Sequence, residues 1–277
     1  MFETQCKITD LIKNSGEISF SVEVTPNIKM EELEKIEYQP LFYSITWHAT
    51  QHECQNLEIA PLNVAKSIKR KNKNVLLHLS CNLLKKNFAK DLLCMLQREG
   101  ICNLLVILGE KYNANISDFK SSQDLIRFIR REAGNYFCIG VIGFPDREDK
   151  LKHLKEKIDS GADFIITQAV FDVQLFLEFT KKCEASDITV PIIPGIFPFE
   201  TESELTGFLN LCKVSVTKEL MEEIKSRSGI EVVSKQIANI CTASKLKHFH
   251  FFSLDKIDRT SKLIKDLLAL NNEQNVD

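Results

Sequence analysis

The sequence predicts one (β/α)8 TIM barrel that occupies residues 1–277, with its core at about 18–270. Eight apolar runs rich in β-branched and aromatic residues alternate with amphipathic segments along the whole chain. Several of these runs are apolar on both faces, as a parallel sheet covered by helices requires. No linker or low-complexity tract interrupts the alternation. A doubly wound open sheet is the alternative, but eight strands without a phosphate-loop signature favour the barrel.

The predicted elements follow in order along the chain. The strands cover residues 18–24, 41–46, 75–81, 102–109, 136–144, 162–168, 189–196 and 248–254. The helices cover residues 59–71, 86–99, 123–134, 150–160, 173–185, 203–211 and 258–270, and 214–246 has room for two more. Gly100 and Gly161 each follow a helical pattern directly, which is typical of a helix end before the next strand.

Composition narrows the class of protein. Of the 277 residues, 44% are hydrophobic and 27% are charged, as in an ordinary globular protein, and the net charge of -2 gives no reason to expect nucleic acid or an anionic membrane as partner. No apolar run approaches the roughly 18 residues of a membrane span. The first residues include acids and lack an apolar core, so no signal peptide is expected. With nine scattered cysteines and no CxxC pair, we expect reduced thiols and a cytoplasmic protein.

One group of residues has spacing that suggests a metal. His48, His52 and Cys54 lie close together in a predicted loop. No second cluster completes a tetrahedral set of ligands, so we expect no metal site.

Polar groups stand at most of the predicted strand ends. In a barrel of this class, ligands bind where the strands end, so this convergence predicts a small-molecule site. The residues at the strand ends are Glu23, Thr46, Trp47, His48, His78, Ser80, Gly109, Glu110, Phe144, Thr167, Gln168, Pro194 and Gly195. Glu23 in ISFSVEVTPN admits two interpretations: a solvated carboxylate on an edge strand, or a carboxylate facing a ligand at the end of a buried strand.

Five stretches then resemble one known family in the same order. They are VEVTP (22–26), ITWH (45–48), HLSC (78–81), LKHLKEKIDSGADFIITQ (151–168) and ITVPIIPGIFP (188–198). Over about residues 18–254 the chain resembles the methylenetetrahydrofolate reductases. The resemblance implies a barrel that carries FAD and reduces 5,10-methylenetetrahydrofolate to 5-methyltetrahydrofolate with NAD(P)H. It covers the catalytic barrel only, so we expect no S-adenosylmethionine regulation here. The sequence does not distinguish NADH from NADPH, and it leaves a homo-oligomer open.

The resemblance also implies roles for individual residues. Glu23 matches a general acid that helps to open the methylene bridge, because the amine leaving group must be protonated. Glu110 matches an aspartate that binds the pterin and tunes the flavin, and Gln168 a glutamine that contacts the pterin. The residues implied to bind cofactor are Thr46, Trp47, His78, Gly109, Glu110, Phe144, His153 and Lys157. Lys256 is placed with Glu23 and Gln168 at the substrate.

Several positions depart from the family pattern at the ligand-facing end. Leu108 stands where the family has arginine, and Glu110 is one methylene longer than the family's aspartate. Phe144 lacks a tyrosine hydroxyl, Glu202 lies where the family has an aromatic that stacks on substrate, and Lys256 replaces an arginine. The sequence therefore supports three hypotheses: a flavin-dependent reductase, a catalytically degenerate paralogue that keeps the barrel as a folate- or protein-binding module, or a barrel enzyme that uses the same acids on a different substrate.

Overall fold

Eight parallel strands form a closed barrel in the computed structural model, which describes residues 3–51, 56–214, 216–244 and 246–274. The strands are β1 (Ser19–Val24), β2 (Tyr43–Ile45), β3 (Val75–Ser80), β4 (Asn103–Ile107), β5 (Cys138–Gly143), β6 (Phe164–Ala169), β7 (Ile192–Ile196) and β8 (His248–Phe252). They neighbour one another in sequence order, and β1 also pairs with β8. This closure confirms the predicted (β/α)8 barrel and excludes the open sheet.

Helices cover the outside of the barrel. They are α1 (Ile8–Asn14), α2 (Met30–Glu34), α3 (Ala60–Arg70), α4 (Lys86–Glu99), α5 (Ser122–Ala133), α6 (Leu151–Asp159), α7 (Val173–Ala185), α8 (Glu202–Cys212), α9 (Lys218–Ser226), α10 (Gly229–Ser244) and α11 (Ile257–Gln274). Two of them, α1 and α2, are absent from the sequence prediction. Across the described ranges, no helix is long and apolar enough to cross a membrane.

The segment before β1 closes the end of the barrel where the strands begin. The side-chain amide of Gln5 donates to the carbonyl of Val75 at 2.7 Å and accepts from its N–H at 2.9 Å. Asn103 Oδ1 accepts from the N–H of Ile8 at 3.0 Å, and Ile8 itself is fully buried. These side-chain contacts hold α1 in place, because a seven-residue helix has little stability of its own.

The polar face of β1 turns into the barrel. Ser19 Oγ lies 2.9 Å from Nδ1 of His248, and Ser21 Oγ lies 2.8 Å from Nδ1 of His250. The ring of Phe42 stacks over His250. Burial lowers the pKa of His248 to about 3 and that of His250 well below its ordinary range. Both imidazoles are therefore neutral and serve as hydrogen-bonded filling of the barrel interior.

Candidate functional site

A cleft of about 960 Å³ opens where the strands end. Its walls come from the ends of β4, β5, β6 and β8, from the first turn of α5 and from one side of α6. Six of the residues predicted for the site line it: Gly109, Glu110, Phe144, His153, Lys157 and Gln168. Apolar side chains of Ile107, Ile142 and Phe252 complete the barrel side of the cleft. A cleft of this size matches those that hold small molecules and cofactors.

Glu23 lies at the end of β1, within the closed barrel. Its Oε2 is 3.8 Å from Nε2 of His78, and the side chain is 15% exposed. Ser44, its register partner on β2, places Oγ 2.8 Å from the same His78 nitrogen. Burial raises the pKa of the Glu23 carboxyl to about 8, and the negative charge of Asp255 adds to the rise. The structure thus excludes the solvated edge-strand interpretation.

His78 is the neutral neighbour of this acid. Burial, together with the charge of His48, lowers the pKa of its imidazole to about 3. Glu23 and His78 accordingly form a neutral acid–imidazole pair at pH 7, not an ion pair. A carboxyl group that is protonated at pH 7 is able to act as a general acid.

The titration of Glu23 makes stability depend on pH. The carboxyl has a pKa near 4.5 when unfolded and about 8 when folded, so between these values only the unfolded chain releases the proton. We expect the free energy of unfolding of the wild type to fall, relative to Glu23→Gln, as pH rises from 4.5 to 8, and the difference to stay constant above pH 8. Urea denaturation at pH 5, 7 and 9 measures this difference in the free energy of unfolding. Glu17→Gln, an exposed change just before β1, is the matched control and should follow the wild type.

Glu110 is held at the rim by its backbone. Asn82 Nδ2 donates to the carbonyl of Glu110 at 2.7 Å, while Oε1 of Glu110 lies 3.6 Å from Nδ1 of His48. Its side chain is 66% exposed. Gly109 before it has φ +93°, and a Cβ there would come within 2.0 Å of Ser80 Oγ. Only glycine fits this turn, which directs Glu110 to the rim.

Thr46 and Trp47 end up on opposite sides of β2. Oγ1 of Thr46 is buried and has no hydrogen-bond partner among the described residues. Trp47 is 2% exposed and packs in the apolar core between strands and helices. Lys256 is exposed on the turn after β8, where its N–H donates to the carbonyl of Ser253 at 2.8 Å. Five predicted site residues are not among those that line the cleft, and their predicted ligand roles remain predictions: Glu23, Thr46, Trp47, His78 and Lys256.

Three departures from the family pattern can also be placed. Leu108 is 42% exposed and lines the rim of the cleft. Phe144 lines the cleft, with the guanidinium of Arg147 4.8 Å above its ring. Glu202 is the first residue of α8 and is exposed. Glu202 is not among the residues that line the cleft.

The start of α5 is a part of the cleft that sequence reasoning missed. Lys120, Ser121, Ser122 and Gln123 all line it. Ser121 caps the helix, since its Oγ accepts from the N–H of Asp124 at 3.2 Å. A helix N-terminus beside a lysine favours an anionic group. The sequence prediction places this helix at 123–134, and the Ser-x-x-Asp spacing is the capping signal that marks its start at Ser121.

One side of α6 forms another wall of the cleft, with His153, Glu156 and Lys157. Lys157 is partly buried there, and burial lowers the pKa of its ammonium group. Glu156 Oε2 accepts from Gln123 Nε2 at 3.0 Å and lies 3.2 Å from Nδ1 of His153. Lys150 lines the same wall. The cleft therefore joins cationic groups with a set of hydrogen-bonding side chains.

Arg147 ties the end of α8 to the cleft. It donates to the carbonyl of Lys213 at 2.9 Å and to that of Cys212 at 3.3 Å. Burial raises the pKa of the Cys212 thiol to about 11, and the charges of Glu23 and Glu110 add to this effect. The end of α8 thus lies near both acids, a placement that no sequence pattern indicated.

Of the three residues whose spacing suggests a metal site, the structure describes His48. His48 contacts Glu110, whereas His52 and Cys54 lie outside the described residues. Within the ranges that the structure covers, no group of three or more His, Cys, Asp or Glu side chains could hold a metal ion.

Comparison with known proteins agrees with this geometry. The sequence model of the family described as methylenetetrahydrofolate reductase matches residues 7–268. The chain belongs to this family. Methylenetetrahydrofolate reductase 1 of Schizosaccharomyces pombe is 28% identical over 85% of the chain and 42% of its own length. Methylenetetrahydrofolate reductase (NADH) 1 of Arabidopsis thaliana is 28% identical over 98% of the chain and 52% of its own length.

The chain therefore spans about half the length of these curated methylenetetrahydrofolate reductases. A solved structure has the same fold, with a TM-score of 0.64, 13% identity, and coverage of 93% of this chain and 96% of its own. It is an uncharacterized protein from Clostridium thermocellum described as binding two copies of 5-methyl-5,6,7,8-tetrahydrofolic acid.

Proposed function

We propose that the chain catalyses the flavin-dependent reduction of 5,10-methylenetetrahydrofolate to 5-methyltetrahydrofolate with NAD(P)H. The observation that carries the proposal is a buried carboxyl, Glu23, with a pKa of about 8, near the C-terminal end of β1; the large cleft opens at the same end of the barrel, although Glu23 is not among the residues that line it. Membership of the methylenetetrahydrofolate reductase family supports the reaction class.

The charges and apolar side chains of the cleft suit FAD as a ligand. Lys120, Lys150, Lys157 and the start of α5 supply positive charge for a diphosphate. Ile107, Ile142 and Phe144 offer an apolar wall for a ring system. When bound, FAD would carry hydride between the nicotinamide nucleotide and the folate.

Two acids and one amide would act on the substrate and the cofactor. Glu23 would hold a proton at neutral pH and give it to the amine nitrogen released as the methylene bridge opens. Gln168 lines the cleft at the end of β6, where its amide would orient the pterin. Glu110 would add negative charge at the rim.

A second candidate is a binding module without catalysis. It is favoured by the rim, where Leu108 offers an apolar surface and the Glu110 side chain, 66% exposed, lies against His48. A catalytic group must be placed accurately to be effective, so an exposed glutamate weakens this part of the site. Such a module would bind folate without turning it over.

Spectroscopy of the purified protein separates the two candidates. The reductase is expected to keep flavin absorbance through gel filtration, to lose it with anaerobic NADH or NADPH, and to regain it when methylenetetrahydrofolate is added. Lys157→Ala should weaken FAD binding roughly 10- to 100-fold, because a hydrogen bond to a charged group contributes about 1.5–3 kcal/mol. Lys152→Ala, on the exposed side of α6, is the matched control and should bind FAD as the wild type does. Colourless protein that ignores added FAD would rule the reductase out.

A further inference from the structure

The turn between β8 and α11 grips the end of β1 beside Glu23. Oδ1 of Asp255 accepts from the N–H of Thr25 at 2.8 Å, and Oδ2 accepts from the Thr25 hydroxyl. Ser253 Oγ donates to the carbonyl of Glu23 itself. The N–H of Asp255 donates in turn to Ser253 Oγ at 3.1 Å. Two side chains of one turn thus hold the backbone from the carbonyl of Glu23 to Thr25, directly after the Glu23 side chain.

The turn adopts an uncommon backbone conformation to make these contacts. Leu254 and Asp255 have φ of +46° and +59°, consecutive left-handed values for residues other than glycine. Such conformations cost free energy and persist where surrounding contacts hold them. The contacts to Thr25 and Glu23 are of that kind. The strained turn therefore has one structural result: it holds Asp255 against β1.

Three elements place titratable side chains near Glu23. On β3, His78 is neutral, and at the end of α8 the thiol of Cys212 is held protonated by burial. Asp255, on the β8–α11 turn, is the carboxylate that acts on Glu23. His48 lowers the pKa of His78 by its charge, and His78 in turn lowers that of His250. A negative charge beside a carboxyl disfavours its ionised form.

We propose that Asp255 is a positioning residue, which fixes the end of β1 through Thr25 and holds a negative charge near the Glu23 carboxyl. This inference rests on the proposed function, in which Glu23 delivers a proton. It assigns the placement of that acid, and a contribution to its protonation in addition to that of burial, to one side chain that does not line the cleft. The β8–α11 turn thereby contributes to the site without touching the ligand.

Asp255→Asn tests the charge, because asparagine keeps the size and one acceptor oxygen. Infrared difference spectra against Glu23→Gln follow the Glu23 carboxyl in the protein without ligand. We expect the midpoint of its titration to move down by about one pH unit, and Asp255→Ser to move it in the same direction. Asp258→Asn, an exposed change in the first turn of α11, is the matched control and should leave the midpoint where it is. A midpoint that both variants leave unchanged overturns the inference.

Thr25→Val tests the geometric half of the inference. It removes the hydroxyl that donates to Asp255 but keeps the charge, so the folate step should slow by a factor that does not change with pH. Asp255→Asn should instead shift the pH profile of that step downwards. The titration of Glu23 needs neither flavin nor folate. A colourless protein would therefore rule out the proposed function, while the titration would still test whether Asp255 acts on Glu23. A Thr25→Val enzyme with the wild-type rate would contradict the positioning role.

Discussion

Glu23→Gln is expected to slow the folate step by about 10²–10⁴-fold, the usual contribution of a general acid. Glutamine has nearly the same shape and keeps a hydrogen-bonding group beside His78, but it cannot give up a proton. The reduction of the protein by NAD(P)H does not use this proton and should continue at the wild-type rate. Anaerobic stopped-flow absorbance, with each half of the reaction started separately, measures the two rates.

The pH profile provides a second, independent result. In the wild type the folate step should weaken above pH 8, where the Glu23 carboxyl loses its proton. In Glu23→Gln this decline should disappear, because the titrating group is gone. Glu17→Gln, which changes an exposed carboxylate just before the same strand, should keep both the rate and the profile. If Glu23→Gln leaves the folate step unchanged, the carboxyl is not the acid.

The fold was largely predictable because each strand carries its own signal. A strand in a parallel sheet is covered on both faces, so runs such as VLLHLS and FIITQA stand out from the amphipathic segments around them. The helix α1 has no such signal. It is seven residues long, and its placement depends on the distant side chains of Gln5 and Asn103. Contacts of that range are not visible in local patterning.

The positions of some candidate residues were predictable because these residues stand at strand ends. Glu23, His78 and Gln168 stand at the ends of strands, and the barrel brings those ends to one face. The period-two alternation also separates Thr46 from Trp47, although the two were assigned together to the cofactor. Trp47 faces the outer core for that reason.

Cleft residues on loops and helix starts could not be predicted in this way. Lys120 and Ser121 follow β4 after a loop whose course depends on Asn82, which contacts the backbone of Glu110 and Asn113. Arg147 reaches the end of α8, 65 residues further along the chain. Which loop residues meet at the cleft is therefore decided by tertiary contacts between segments far apart in sequence.

Phe164→Ala is expected to lower the free energy of unfolding by about 3–5 kcal/mol, the range measured for large aromatic truncations in cores. Phe164 is fully buried on β6 and packs into the space above Gly140 on β5. A Cβ at Gly140 would lie 2.4 Å from Cζ of Phe164, so Gly140→Ala alone should destabilise the fold by about 1–3 kcal/mol through overpacking.

The double variant tests whether these two effects have one cause. Without the Phe164 ring, the new methyl group at position 140 no longer clashes and fills part of the cavity. The loss in the double variant should therefore be about 1–3 kcal/mol smaller than the two single losses added together. Gly207→Ala on α8, where a Cβ meets nothing within 4 Å, is the control and should add to Phe164→Ala within about 0.5 kcal/mol. The midpoints and slopes of urea denaturation give the free energy of unfolding of the three single variants and the two double variants. Additive losses for Phe164→Ala and Gly140→Ala would show that the Phe164 ring does not require glycine at position 140.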